Sequence, residues 1–206
     1  MKRLAFLLIS IIMILSFASC KNEKILKGPG KYIEKAQLSE EENQLALLFD
    51  SKNINNIFDF AVDDTAKSME IKIHCYKDGK WEDFSTSRFP IDEEKGRIGI
   101  FYNKLYDVHK ISFQTSKGTN AVGFSSDDKF ENLEGLGFGS TILSNKKSIT
   151  YEEEIPVALQ IFSSKDTVGI VLNDSMEELK DYCQNTEVDH EAIFAVTVKF
   201  SQNMFR

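Results

Sequence analysis

Ala192-Ile193-Phe194-Ala195-Val196-Thr197-Val198-Lys199-Phe200 is the stretch whose reading decides the fold. It contains neither Gly nor Pro. Ala192, Phe194, Val196, Val198 and Phe200 fall on one side of an extended chain, and Ile193 and Ala195 add apolar groups to the other. β-Branched and aromatic residues suit a pleated surface, and side chains along a strand alternate between faces. A strand apolar on both sides is covered on both sides, whereas edges are short or carry charge and Pro. The stretch therefore predicts a central strand.

Working outward, the same period of two recurs. In Met69-Glu70-Ile71-Lys72-Ile73-His74-Cys75-Tyr76, the residues Met69, Ile71, Ile73 and Cys75 share a face opposite Glu70, Lys72 and His74. Lys77-Asp78-Gly79-Lys80 follows as a hairpin turn, and residues 81 to 84 begin the returning strand. Residues 57 to 62 place Phe58, Phe60 and Val62 inward. Residues 97 to 102 do the same with Ile98, Ile100 and Tyr102. His109, Ile111 and Phe113 alternate up to a turn at Lys117-Gly118, after which residues 120 to 125 carry Val122 and Phe124. Ile155, Val157, Leu159 and Ile161 alternate, and Val168, Ile170 and Leu172 follow Lys165-Asp166. Many short strands at this spacing predict a mainly β fold, an antiparallel sandwich with jelly-roll or Greek-key connections. Two short helices interrupt it. Ser39 with Glu42 is a capping box opening a helix to residue 49, and Asp174 with Glu177 opens another to about Cys183.

The chain has 206 residues, 42% hydrophobic and 28% charged, with 11 Gly and three Pro. This excludes collagen-like and low-complexity chains and allows one domain with a sizeable core, placed at residues 38 to 206. A net charge of −7 argues against a nucleic-acid partner, because phosphate binding calls for a basic excess.

The N-terminus carries an address. Lys2 and Arg3 precede an apolar run over residues 4 to 17, and Ala18 and Ser19 lead into Cys20. This is a secretory signal rather than a membrane span. Phe17-Ala18-Ser19-Cys20 resembles the lipobox of bacterial lipoproteins, with Phe17 in place of the usual Leu, Val or Ile. The resemblance covers about a tenth of the chain. It implies cleavage before Cys20, diacylation of the Cys20 thiol and acylation of the new amine. It implies also a lipid-anchored protein of a bacterial cell membrane or outer membrane, its domain exported from the cytoplasm. Two or more acyl chains hold a protein stably on a bilayer. Cleavage removes Lys2 and Arg3 and no acid, so the mature chain is more acidic still and its lipid is the expected membrane contact. Residues 20 to 37, with Gly28-Pro29-Gly30, read as the lipidated Cys and a flexible tether.

Residues that carry chemistry are few. No His-x-His, Cys-x-x-Cys or His-Glu-x-x-His spacing occurs, which argues against zinc. His74 and Cys75 are neighbours on a strand and point to opposite faces. His109 stands on an apolar face, as a core or rim histidine. Gly135-Leu136-Gly137-Phe138-Gly139-Ser140 lacks the frame of a phosphate loop or a nucleophile elbow and reads as a bend between strands. Acidic pairs read as a solvated surface, with Ser125-Ser126-Asp127-Asp128 the best loop for Ca²⁺, though without EF-hand spacing. Trp81, Tyr102 and Tyr106 are the candidate ligand-binding residues, because carbohydrate sites present Trp and Tyr on an exposed face; Tyr76 and Tyr151 are further candidates. Cys75 and Cys183 are expected to be free thiols, Cys75 packed on its apolar face, although export would also permit them to pair. The functional expectation is a tethered, non-catalytic binding or scaffolding domain, with a glycan or an envelope protein as its partner and no cofactor. The rival expectation is an envelope glycan hydrolase using paired carboxylates.

Overall fold

A computed structural model describes residues 30–49, 56–107, 109–125, 128–165, 172–185 and 190–205. The signal segment, Cys20 and the expected strand residues Val168 and Ile170 lie outside the described residues, as do Ser126 and Asp127 of the acidic loop.

Among the described residues, eleven strands form two sheets. They are β1 (Tyr32–Lys35), β2 (Ile57–Ala61), β3 (Ser68–Lys77), β4 (Lys80–Pro90), β5 (Lys95–Tyr102), β6 (His109–Thr115), β7 (Gly118–Phe124), β8 (Gly137–Ile142), β9 (Lys147–Ser148), β10 (Glu154–Ser163) and β11 (Ala192–Ser201). One sheet runs β7-β6-β5-β2-β1-β9 and the other β4-β3-β11-β10-β8. All pairings are antiparallel. The architecture is a mainly β sandwich with two helices, α1 (Glu40–Phe49) and α2 (Met176–Asn185). A 3-10 segment (Asp128–Leu133) joins β7 to β8.

The central position of β11 follows from its two apolar faces. Phe194, Val196, Val198 and Phe200 enter the core between the sheets, while Ile193 and Ala195 face outward beneath α2. The helix covers that face with Met176, Leu179 and Cys183.

Strand β10 departs from the sequence pattern. Ile155, Val157, Leu159 and Ile161 do not share a face. A bulge between Pro156 and Ala158 shifts the register. Ile155 and Val157 point into the core, whereas Leu159 and Ile161 join the outer cluster under α2. Proline has no N–H to give a ladder and sits in sheets at edges and bulges, so Pro156 marks the switch. The bulge thus makes the apolar seat on which the helix rests.

Three further differences are local. Residues 32 to 35, read as tether, form β1, because Ile33 is fully buried between β2 and β9. The glycine cluster is not a bend: residues from Gly137 onward form β8 on β10, and the turn is confined to Gly135 at φ +83°. The second helix is capped one residue later than the spacing suggests. Ser175 Oγ accepts from the Glu178 N–H at 3.1 Å, and the Glu178 carboxylate accepts from the Asp174 N–H at 3.1 Å. The first cap follows the sequence: Ser39 Oγ accepts from Glu42 N–H at 3.2 Å and Glu42 Oε2 from Ser39 N–H at 2.8 Å.

Candidate functional site

The two sheets are unequal in width. On β6, His109, Ile111 and Phe113 are buried. Their partners on β7 are Phe124, Val122 and Asn120, and of these Val122, at 37%, and Asn120 are exposed. The cover supplied by the second sheet therefore ends beneath β6, and β7 projects past it. Between this overhang and β4 lies an open cleft of about 680 Å³, lined by Cys75, Phe84, Ser85, Thr86, His109, Phe124 and Phe130, with Lys77, Asp78, Lys80, Glu82 and Asp83 at its rim. That volume falls in the range of about 300–1,000 Å³ usual for ligand sites.

A bulge in β4 shapes the cleft. Ile73 pairs with Ser85 but His74 pairs with Asp83, which leaves Phe84 as the extra residue. Phe84 and Ser85 therefore both reach the inner side. Phe84 packs edge-on to Phe130 and Phe194 at 5.4 and 5.8 Å.

The floor holds His109, only 2% exposed. Its ring stacks on Phe124 at 5.0 Å and lies 6.2 Å from Phe84. Nδ1 is 3.2 Å from the Asp107 carbonyl, so Nδ1–H donates there and Nε2 is left as an acceptor. Burial lowers the pKa of the imidazole, against the opposing Asp107 contact, and keeps the ring neutral. Nε2 is buried and has no hydrogen-bond partner; the same holds for Ser85 Oγ and Ser87 Oγ on the inner face of β4. Buried polar atoms are paired in all but a few cases, and an orphan costs about 1–3 kcal/mol. The loop before β6 is fixed by the buried Gln160, which accepts from Leu105 N–H at 2.7 Å and donates to the Asn103 carbonyl at 3.1 Å.

The aromatic residues named from sequence do not line this cleft. Tyr102 and Tyr106 are buried in the core, Tyr106 against Phe162 at 5.1 Å, and burial raises the Tyr102 hydroxyl to about 12. Trp81 pairs across the hairpin with Tyr76 at 5.3 Å and leans on the cluster under α2. Tyr76 donates to the Cys183 carbonyl, and Tyr151 to Asp63 at 2.6 Å. The phenylalanines that do line the cleft, Phe84, Phe124 and Phe130, are not among the residues the sequence singles out as candidates. The signal that points to them is a histidine set in an otherwise apolar inner face.

A second cluster occupies the outer face of the β4-β3-β11-β10 sheet. His74 Nδ1 is 3.0 Å from Asp83, and its Nε2 is 3.3 Å from Glu154 and 3.0 Å from Thr197 Oγ1. Lys72 lies within 3.5 Å of Glu70, Asp83 and Glu154, and Glu70 also meets Arg88 at 2.7 Å and Lys199 at 3.0 Å. The His74 contact, then Lys72, holds Glu154 down to about 2 against the effect of burial. Both nitrogens of His74 are engaged, so the ring offers none to a substrate or metal. Among the described residues, no three His, Cys, Asp or Glu side chains are set to hold a metal ion. None of the described helices is long and apolar enough to cross a membrane.

Cys75 and Cys183 are both free and buried. Cys75 belongs to the inner core and Cys183 to the cluster under α2, with the sheet between them. No family model, curated protein or solved structure matches the chain.

Proposed function

We propose that this protein is a lipid-anchored domain of a bacterial cell envelope, held to the membrane through Cys20, that binds a glycan or an envelope protein in the cleft between β4 and β7 without transforming it. One observation carries the binding reading: the floor of an open cleft keeps polar atoms, His109 Nε2 and Ser85 Oγ, that the fold leaves unpaired. The anchor rests on the lipobox-like Phe17-Ala18-Ser19-Cys20.

Charge chemistry supports binding over hydrolysis. A general acid for glycoside cleavage needs a carboxyl raised toward neutrality. Among the described residues, the carboxylates with a clear shift are all lowered. Glu42 is held by Ser39 and Arg97, Asp63 by Thr65 and Tyr151, and Glu93 by Ser116. Burial pushes Glu70 up, but Arg88 and Lys199 outweigh it, and Glu154 is held by His74 and Lys72.

Two measurements test the reading. Cys20→Ala in the full chain is expected to lose labelled palmitate and leave the membrane fraction; retention of both overturns the anchor. Ser85→Trp, which fills the cleft from the inner face of β4, is expected to abolish co-sedimentation with purified envelope material while the protein stays folded. Release of new reducing ends from that material would instead mark a hydrolase.

A further inference from the structure

Resting on the cleft as the binding site, we infer that its ligand is a neutral glycan whose hydroxyl donates to His109 Nε2. The donor sense is fixed by the ring: Nδ1–H is given to the Asp107 carbonyl, so Nε2 accepts and cannot donate while burial keeps the imidazole neutral. An anionic oxygen from a carboxylate or phosphate would meet this bare lone pair unfavourably. The rim sets Asp78 and Glu82 beside Lys77, which donates to Asn132 at 3.0 Å, and Lys80, so it has no cationic excess to hold an anion.

The rest of the lining fits a sugar ring. Phe84, Phe124 and Phe130 offer apolar faces to its C–H groups. Ser85 and Ser125 offer hydroxyls, and the rim carboxylates of Asp78 and Glu82 are acceptors for sugar hydroxyls. A peptide strand would pair along the open edge of β4 or β7 and leave the acceptor on the cleft floor unmet by its backbone, whereas a sugar brings hydroxyls to it. Nε2 is closed to water beneath Phe84 and Phe124, both half-buried at the mouth. A ligand reaches it where one of those rings turns aside.

The test uses the full chain in lipid nanodiscs and titration calorimetry with three neutral disaccharides (chitobiose, cellobiose and maltose), the anionic digalacturonate and a capped neutral pentapeptide. At least one neutral disaccharide is expected to bind and digalacturonate to bind at least tenfold more weakly. His109→Phe keeps the ring and deletes the acceptor. It is expected to weaken the disaccharide about tenfold, one hydrogen bond's worth, while the unfolding temperature stays level or rises. Ser85→Ala is expected to weaken binding less. If a disaccharide binds His109→Phe as it binds the parent, or digalacturonate binds equally well, the inference falls and the cleft remains a binding site. If only the pentapeptide binds, the glycan assignment falls. If no probe binds and His109→Phe is merely more stable, Nε2 held an ordered water only, and the binding reading falls with the inference.

Discussion

Phe194→Ala removes the side chain on which the second sheet and the cleft wall converge. Phe194 is fully buried on the central strand. Its ring meets Phe84 at 5.8 Å, Tyr106 at 6.0 Å, Phe130 at 5.4 Å and Phe162 at 5.7 Å. Truncation gives up roughly 150 Å² of apolar surface, which at about 25 cal/mol per Å² is about 4 kcal/mol. That value sits within the range of about 3–5 kcal/mol for buried Phe→Ala and is a large part of the roughly 5–15 kcal/mol that holds a domain folded. With a urea slope of about 2 kcal/mol per M, the unfolding midpoint falls by about 2 M. Phe205, 40% exposed, is the control, and Phe205→Ala is expected to stay within about 0.5 kcal/mol. A fall in the Phe194→Ala midpoint below about 0.5 M would refute the central placement of β11. So would a chain lacking residues 192 to 206 that keeps its β circular dichroism.

Four other outcomes follow from the same geometry. In the mature lipid-modified chain, thiol titration without reductant is expected to find Cys75 and Cys183 both free in denaturant and nearly inert in the native state, since burial raises them to about 12 and about 11; finding neither free would show a disulfide. Glu154 is lowered from its ordinary 4.5 to about 2, so its contribution is fully present above about pH 4.5 and lost as pH falls toward 2. Glu154→Gln is expected to flatten stability across that window and to cost about 1–3 kcal/mol at pH 7, and an unchanged acid limb in pH-dependent urea unfolding would count against the contact with His74. Gly79, at φ +78° with open space around it, is expected to lose about 1–2 kcal/mol on substitution by Ala from backbone strain alone, measured by thermal unfolding against Asp78→Gly, which relieves the neighbouring φ of +52°. Gly96→Ala fails differently, because its Cβ would stand 2.7 Å from the Phe60 ring and 2.8 Å from the Gln114 carbonyl; the overpacking is expected to cost at least about 1–3 kcal/mol.

Strands with strict alternation and a full complement of β-branched residues, β3 and β11 above all, were legible residue by residue, as was the Ser39–Glu42 cap. What stayed hidden depends on neighbours. β1 has one deeply buried residue, Ile33, so its four positions carry too little periodicity to separate from a tether. β8 is rich in Gly, which weakens a strand unless a partner such as β10 supplies the ladder. In β10 the alternation is genuine in sequence, but the bulge at Pro156 splits it between two faces, and only pairing reveals the split. The cleft is less legible still. Its walls come from β3, β4, β6, β7 and the 3-10 segment, brought together by the unequal widths of two sheets, a quantity with no local signature.

The ion pairs across β4, β3, β11 and β10 also act as an alignment key for the sheet. A one-residue slip of β11 against β3 is excluded by its apolar side chains, which would turn out of the core. A two-residue slip keeps those side chains inward and is invisible to hydrophobicity. In the native register Lys199 stands opposite Glu70 and Thr197 opposite Lys72. Slipping two residues one way sets Lys199 against Lys72, like charge on like, and slipping the other way moves it to Ser68 and leaves Glu70 short of a cation. Because Glu70 also meets Arg88 on β4, and Glu154 on β10 meets both Lys72 and His74, the error would be registered on all four strands at once. Pairing is thus checked on the face turned away from the cleft, and the cleft face is left free to keep polar atoms unpaired without loosening the sheet.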